Sequence, residues 1–155
     1  MSNGFDVRFG TIADLEKVMP IMADAFDPEF GEAWTRGQCV GLLSLPGTAL
    51  FVALNGPTAI GFAICRYVLD ESELLLIAVV QQAQQQGVGR EILGKVIDWA
   101  HSNGSRRLFL EMREGNPAKQ LYDSVEFVQV GRRKDYYRGK CGVPSDAITM
   151  EKNVG

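Results

Sequence analysis

The segment ELLLIAVVQQAQQQGVGREIL, residues 73–93, decides how the rest of the chain is interpreted. The apolar run at its start is typical of a buried β-strand, and the apolar periodicity that begins at Val88 is typical of one helix face. Two glycines lie where the strand would turn into the helix. A turn of this kind leaves about four backbone N–H groups unpaired at the positive end of the helix dipole, so it can bind a phosphate group.

The glycines suggest how an anion would be bound. Gly87 and Gly89 have no Cβ, which lets an anion approach the main chain, and Arg90 adds a cation in the first helical turn. No Lys-Ser/Thr pair follows, so the segment is not a P-loop, and it lacks the third glycine of a dinucleotide-binding motif. On these residues alone, a tight turn lined with solvated glutamines is an equally good interpretation.

Composition limits the class of protein. A chain of 155 residues that is 46% hydrophobic predicts one globular domain over residues 1–155. A net charge of −3 disfavours nucleic acid and membrane surfaces as partners, because both select a cationic face. The opening residues lack an apolar signal segment, and no apolar run approaches the ~18 residues of a membrane span, so we expect a cytoplasmic protein.

The three cysteines, Cys39, Cys65 and Cys141, form no C-x-x-C pair. This pattern suits a reducing compartment and predicts neither a disulfide framework nor a zinc site. We therefore expect them to be packing residues. No cluster of histidine and acidic residues has metal-ligand spacing either, so no metal cofactor is predicted.

Strand and helix patterns alternate along the chain. They predict the order β-α-α-β-β-β-α-β-α-β-β, an α/β sheet with helices on its faces, antiparallel at first and with a strand-helix-strand crossover in the middle. Asn55-Gly56-Pro57 predicts a hairpin, Gly104 predicts the end of the long helix, and Pro20 predicts a kink or break in the first helix.

Longer stretches resemble a known superfamily. QQQGVG, residues 84–89, is similar to the acyl-CoA pyrophosphate loop of the GCN5-related N-acetyltransferase (GNAT) superfamily, Q/R-x-x-G-x-G/A. RLFLEMREGNPAKQLYDSVEF, residues 107–127, resembles the strand and the N-x-x-A-x-x-L-Y-x-x-x-G-F segment that follow it. RRKDYY, residues 132–137, and SDAITME, residues 145–151, resemble the closing segments of a subfamily that acetylates the N-terminal alanine of a small ribosomal subunit protein.

The resemblance covers roughly residues 60–152. It implies the GNAT fold, a mixed central sheet of about six to seven strands flanked by about four helices. It also implies acetyl-CoA as the cosubstrate, with pantetheine between two splayed strands and the diphosphate on the main chain of the glycine loop. The residues implied to bind acetyl-CoA are Ile77, Ala78, Val79, Gln84, Gln85, Gln86, Gly87, Val88, Gly89, Arg90, Asn116 and Tyr122.

Two residues are implied to act in the chemistry. Glu111 aligns with the general base of the subfamily, although a glutamate at a strand end is otherwise expected to face solvent. Tyr122 matches the tyrosine beside the CoA sulfur, although a tyrosine here could also simply pack under the sheet. Reference pKa values of about 10 for tyrosine and about 8.5 for a thiol make full proton donation uphill by roughly 2 kcal/mol. We therefore favour a hydrogen bond from Tyr122 to the developing thiolate.

The acceptor is predicted from acidity and resemblance. An α-amine titrates near ~8 and a lysine near ~10.4, so an α-amine supplies the free nucleophile about 3 kcal/mol more readily. This favours the N-terminus of a ribosomal or other protein, with Trp34, Tyr136 and Tyr137 implied to contact it; strand packing is the alternative for the two tyrosines. A small amine or amino-acid acceptor, and a non-catalytic CoA-binding module, remain open.

Acidic residues could attract a basic protein tail, or could be ordinary solvated surface. They are Asp24, Asp27, Glu29, Glu32, Asp70, Glu71 and Glu73.

The chain departs from the family pattern at the following places. Val80-Gln81 stands where Asp-Pro is usual, and Gln84 stands where arginine is common. Glu126 replaces a glycine after the short helix, so either its backbone is glycine-like or the turn differs.

Overall fold

The computed structural model describes residues 4–27, 32–138 and 143–155. Its strands are β1 (Asp6–Gly10), β2 (Thr48–Asn55), β3 (Thr58–Val68), β4 (Glu71–Val79), β5 (Arg107–Arg113), β6 (Val128–Arg138) and β7 (Pro144–Asn153). Its α-helices are α1 (Leu15–Ala25), α2 (Arg36–Leu43), α3 (Val88–Ser102) and α4 (Lys119–Ser124). The predicted order of strands and helices is confirmed.

The strands form one seven-stranded sheet in the order β1-β2-β3-β4-β5-β7-β6. All neighbours are antiparallel except β4 and β5, which are parallel and joined through α3. The predicted α/β class, with its crossover in the middle of the chain, is therefore confirmed.

The hairpin predicted at residues 55–57 is confirmed, whereas the first helix differs from its prediction. Gly56-Pro57 forms the turn between β2 and β3, with Gly56 at φ 59°. Of the kink or break predicted at Pro20, the break is wrong, because α1 continues through Pro20 from Leu15 to Ala25. Pro20 removes a single N–H donor, whereas the helix is held to the sheet by four buried apolar side chains: Leu15, Val18, Ile21 and Met22.

Apolar clusters cover both faces of the sheet. One lies under α3 and α4, and the other lies under α1 and α2. Cys65 packs in the first cluster and Cys39 in the second, both as buried free thiols, whereas Cys141 lies outside the described residues. Within the described ranges, no helix is both long and apolar enough to cross a membrane.

A β-bulge at Leu75 changes the side-chain alternation of β4. Ile64 of β3 pairs with Leu76 and its neighbour Cys65 pairs with Leu74, so Leu75 is the extra residue. Leu74 consequently packs on the α3 side, while Leu76 packs on the α1 side. A regular strand would place both on one face.

The parallel pairing of β4 and β5 stops part-way along the strands. Glu71–Leu74 pairs with Arg107–Leu110, after which β4 runs on to Val79 and β5 to Arg113 without pairing with each other. The carboxyl ends of the two strands therefore leave an opening, which faces the glycine loop and α4.

Candidate active site

The glycine loop presents a row of free backbone donors. The N–H groups of residues 85–90 form no hydrogen bond within the described parts of the chain, and the first bond of α3 runs from the Glu91 N–H to the Gly87 carbonyl, 3.0 Å away. Gln85 and Gly87 both have left-handed backbone conformations, at φ 62° and 84°. This arrangement gathers unpaired N–H groups at the N-terminus of α3, where the helix dipole favours an anion.

The two glycines of the loop serve different physical needs. At Gly87 a Cβ would meet no atom within 4 Å, so lack of space is not the reason for glycine there. The reason is its positive φ, which glycine adopts without strain. At Gly89, a Cβ would lie only 3.2 Å from Cδ2 of Leu121 on α4. Gly89 thus allows α3 and α4 to pack closely, in addition to exposing its own amide.

The end of β4 also offers main-chain groups to the opening. The Val80 N–H donates to the Ile60 carbonyl of β3 at 2.9 Å, so the polar groups of Val79 and Ile77 point the opposite way, away from β3. The Val79 carbonyl accepts a hydrogen bond from Nε2 of Gln84 at 3.1 Å. The backbone of β4 therefore has hydrogen-bonding groups available where the sheet is split.

A cavity of about 550 Å³, the loop cavity, lies between the end of β4, the glycine loop and α4. The predicted cofactor residues that line it are Ile77, Ala78, Val79, Gln84, Gln85, Gly87, Gly89, Arg90, Asn116 and Tyr122. The other two predicted residues, Gln86 and Val88, do not line this cavity: Val88 is buried in the core, and Nε2 of Gln86 donates to the Gln82 carbonyl. The Arg90 guanidinium has no ion-pair partner among the described residues and adds positive charge.

A second cavity of about 590 Å³, the tyrosine cavity, lies between β4, β5 and the end of β6. The predicted residues that line it are Trp34, Ile77, Glu111, Asn116, Tyr122, Tyr136 and Tyr137. Of these, Ile77, Asn116 and Tyr122 border both cavities. The structure thus brings the predicted acceptor residues and the predicted catalytic residues together.

A bulge in β6 lets two consecutive tyrosines reach one cavity. Arg133 pairs with Ala147 and Tyr137 pairs with Ser145, so three residues of β6 lie opposite one residue of β7. Asp135, inside the bulge, has φ 55° and donates its N–H to Asp146 at 2.9 Å. In a regular strand, Tyr136 and Tyr137 would face opposite sides of the sheet.

Tyr122 is buried on α4 and makes an edge-on ring contact with Phe127, with centroids 5.8 Å apart. Burial, and then the nearby charge of Glu32, raise the pKa of Tyr122 above its usual range. The side chain is therefore a neutral phenol that can donate a hydrogen bond at the point where the two cavities meet.

Glu111 lies on β5 just beyond the last residue that pairs with β4. Its side chain is 21% exposed, and its carboxylate lies 3.3 Å from Nε of Arg133 on β6. Burial, and then the charges of Glu111 and Glu32, raise the pKa of Tyr137 to about 12. The carboxylate of Glu111 thus borders the tyrosine cavity close to a neutral tyrosine hydroxyl.

Comparison with known proteins places this geometry in a family. A model described as the acetyltransferase (GNAT) family matches residues 15–127. The chain belongs to the GNAT family. Its splayed strands, glycine loop and following tyrosine all lie within the matched residues.

Two GNAT relatives match this chain over different lengths. Ribosomal protein bS18-alanine N-acetyltransferase of Haemophilus influenzae is 43% identical over 91 residues, which are 59% of this chain and 62% of that protein. The N-alpha-acetyltransferase RimI of Mycobacterium tuberculosis is 31% identical over 150 residues, 94% of this chain and 90% of the relative. The chain thus spans about three fifths of the first relative and most of the second.

A solved GNAT structure extends the likeness over nearly the whole chain. The crystal structure of the ribosomal-protein-S18-alanine N-acetyltransferase from Escherichia coli matches with a TM-score of 0.88 and 29% identity, covering 97% of this chain and 94% of that one. The seven-stranded sheet and its helices are therefore the GNAT fold.

The departures from the GNAT pattern have local explanations. Gln81 donates its main-chain N–H to the Asp24 carboxylate at 2.8 Å and its side-chain amide to the Asp24 carbonyl at 2.9 Å. It therefore ties the start of the loop to α1 without an Asp-Pro turn. Glu126 keeps the glycine-like backbone, at φ 69°, with its side chain in solvent.

Two acidic residues of the candidate site are not identified by the sequence. Glu32 and Glu73 are predicted either to attract a basic protein tail or to be solvated surface, whereas the structure places both in the lining of the tyrosine cavity. Burial raises the pKa of Glu73 even though Arg66 lies 3.1 Å away. Glu73 directly precedes the apolar run of residues 74–80, which is a weak indication that it is partly buried, whereas nothing around Glu32 gives such an indication. Glu29, grouped with them, lies outside the described residues.

In residues 4–27, 32–138 and 143–155, no three His, Cys, Asp or Glu side chains are grouped so as to hold a metal ion.

Proposed function

We propose that this chain transfers the acetyl group of acetyl-CoA directly to the α-amine of a protein N-terminus, and that its acceptor is a ribosomal protein. One observation carries the proposal: the buried Tyr122 borders both cavities. A thioester in the loop cavity and an amine in the tyrosine cavity would meet beside its hydroxyl. Acetyl-CoA is the acetyl donor of the GNAT family.

The loop cavity fits a diphosphate bound through the main chain. The free N–H groups of residues 85–90 and the dipole of α3 favour the negative charge of the diphosphate. The positive charge of Arg90 adds to this attraction. The backbone groups of Ile77 and Val79 can hydrogen-bond the amides of pantetheine as a further strand would. For Val79, this exchanges the present bond to Gln84 for one to the ligand.

Glu111 acts as the general base in this proposal. Its carboxylate removes a proton from the acceptor ammonium, directly or through one water molecule, so that the amine can attack. Its position beyond the β4 pairing places it in the wall of the tyrosine cavity. An α-amine demands less of this base than a lysine does, because its free form is about 3 kcal/mol more accessible.

Tyr122 acts as a hydrogen-bond donor rather than as the final source of a proton. The acceptor nitrogen would form a bond to the acetyl carbon as the bond from that carbon to sulfur breaks, and the departing thiolate would take its proton from this nitrogen. The pKa of Tyr122 is raised by burial and by Glu32, so transferring its proton to sulfur is less favourable than in water. A donated hydrogen bond still stabilises the negative charge that develops on sulfur.

The tyrosine cavity suits a chain end that carries a free amine. Trp34 and the hydroxyls of Tyr136 and Tyr137 would contact the first residues of the acceptor. Support for a ribosomal acceptor comes from the relatives named as ribosomal protein bS18-alanine N-acetyltransferases.

The test is mass spectrometry of acceptors incubated with the protein and acetyl-CoA. One peptide carries the first residues of ribosomal protein bS18 with a free N-terminal alanine. Its matched control has the same sequence with a blocked α-amine and an added lysine, and a third acceptor is alanine amide. We expect one acetyl group on the free peptide and none on the blocked one. Acetylation of alanine amide alone would favour a small-amine enzyme, and acetyl-CoA binding without any product would favour a non-catalytic module.

A further inference from the structure

Glu32 lies in the wall that separates the two cavities. Its side chain is only 12% exposed, and it borders both the loop cavity and the tyrosine cavity. Phe26 from the end of α1, Ile77, Asn116 and Tyr122 share this double position. Glu32 is the acidic residue at this junction among those that the structure describes.

The carboxylate of Glu32 bonds to two residues that follow the β4–β5 opening. One oxygen accepts from Nε of Arg113 at 3.2 Å, and the other accepts from Nδ2 of Asn116 at 3.2 Å. The Arg113 side chain is also only 12% exposed, so this ion pair is largely shielded from water. Asn116 in turn accepts from the Ala118 N–H at 2.9 Å and so fixes the start of the segment that carries Tyr122.

These contacts connect the acceptor side of the site to the cofactor side. Trp34, two residues after Glu32, lines the tyrosine cavity, whereas Arg113 lines the loop cavity. A shielded ion pair is strongly sensitive to the removal of one charge, because the other charge then loses that interaction in a place where water compensates poorly.

We propose that Glu32 is a positioning residue for acetyl transfer: through Arg113 and Asn116 it sets the wall between the cavities, and so fixes the acceptor amine and Tyr122 relative to each other. The assignment rests on the proposed function. Glu32 does not take the proton in this scheme, since Glu111 has that role. Its charge also helps to keep Tyr122 and Tyr137 in their neutral forms.

The substitution Glu32→Gln separates this role from a general effect on folding. Glutamine retains an oxygen that can accept from Asn116 but cannot neutralise Arg113. Because Glu32 and Arg113 both border the loop cavity, removing the Glu32 charge makes the electrostatic potential there more positive, which favours the anionic acetyl-CoA. Turnover of the acceptor should fall, because Glu32 no longer holds the wall between the cavities through its ion pair with Arg113. The affinity for acetyl-CoA should not weaken. Loss of the local fold would weaken both.

The experiment compares the full-length wild type with Glu32→Gln, Arg113→Gln and the double variant. The readouts are kcat and KM for the bS18 peptide and the Kd of acetyl-CoA by calorimetry. The matched control is Glu16→Gln, which breaks the exposed ion pair to Arg36 at 3.0 Å.

For Glu32→Gln we expect kcat/KM for the peptide to fall roughly 10-fold or more, with a Kd for acetyl-CoA no weaker than about twofold. The double variant should recover part of the loss, because the Arg113 charge that Glu32 balances is then removed together with Glu32. Glu16→Gln should stay within about twofold of the wild type. The assignment is overturned if Glu32→Gln acetylates the peptide at the wild-type rate, or if acetyl-CoA affinity falls in step with turnover. A wild type that acetylates no peptide overturns the proposed function itself.

Discussion

The loop cavity and the tyrosine cavity are built from different chemical groups. The loop cavity offers main-chain N–H groups of residues 85–90, which are available because of backbone conformation and missing Cβ atoms. The tyrosine cavity is walled by carboxylates, each held by an arginine: Glu32 by Arg113, Glu73 by Arg66, and Glu111 by Arg133. Side chains at the non-glycine positions of the loop can therefore vary with little effect, whereas single charges matter in the tyrosine cavity.

The largest effect is expected from the tyrosine cavity. Glu111→Gln removes the proposed base and should lower kcat/KM for a peptide acceptor by about 10³-fold, within the range of general-base catalysis. The defect should narrow as the pH rises above about 8, because the α-amine then loses its proton without help. Steady-state kinetics over this pH range measure both effects.

The control for Glu111→Gln is Glu151→Gln, on the neighbouring strand β7. Glu151 is paired with Arg107 at 3.1 Å and lies outside the lining of the tyrosine cavity. The Glu151→Gln variant should acetylate the peptide as fast as the wild type does. Glu111→Gln activity within about threefold of the wild type at neutral pH would remove Glu111 from the mechanism.

The next largest effect is expected when a side chain is added at Gly89 in the glycine loop. Gly89→Glu places a carboxylate among the free amides and a Cβ 3.2 Å from Leu121, so the affinity for acetyl-CoA should fall about 100-fold or more. Calorimetry measures the affinity, and circular dichroism checks that the fold is retained.

Gly94→Glu makes the matched change further along α3, where a Cβ would meet nothing within 4 Å. It should leave the affinity for acetyl-CoA intact. Equal binding by Gly89→Glu and the wild type would mean that the diphosphate does not lie on this loop.

A smaller kinetic effect is expected where the two cavities meet. Tyr122→Phe keeps the ring but removes the proposed hydrogen bond to sulfur, so kcat should fall roughly 30-fold while the Kd of acetyl-CoA changes little. Because burial raises the pKa of Tyr122, the hydroxyl keeps its proton as the pH rises. The wild-type kcat should consequently show no loss from this group below about pH 10.

Tyr67→Phe is the control for Tyr122→Phe, since Tyr67 contacts Trp99 and lines neither cavity. It should leave turnover unchanged. Parallel losses of turnover and affinity in Tyr122→Phe would indicate that Tyr122 only shapes the cavity wall.

The smallest predicted effect is on the free energy of unfolding and concerns Glu126, in the turn after α4. Glu126 holds a left-handed conformation at φ 69°, which glycine adopts without steric strain. Glu126→Gly should raise the free energy of unfolding by about 0.5–1 kcal/mol with unchanged turnover, as measured by urea denaturation. A lower stability would show that the contact of Glu126 with Lys152, 4.0 Å away, outweighs the strain.

The same contrast explains how much of the molecule could be predicted from its sequence. Periodicity and turn residues predicted the strand and helix order, and the glycine motif predicted the loop, because both depend on local backbone preferences. The bulges at Leu75 and around Asp135 were not predicted, since they depend on pairing between strands. Glu32 was missed because its burial depends on Arg113 and Asn116, which are more than eighty residues away in the chain.

The most direct test is a crystal structure of the protein with acetyl-CoA. The account predicts diphosphate oxygens within about 2.7–3.2 Å of main-chain nitrogens of residues 85–90, pantetheine along Ile77 and Val79, and the sulfur beside the Tyr122 hydroxyl. A diphosphate bound away from the glycine loop, or a sulfur outside the junction of the two cavities, would contradict it.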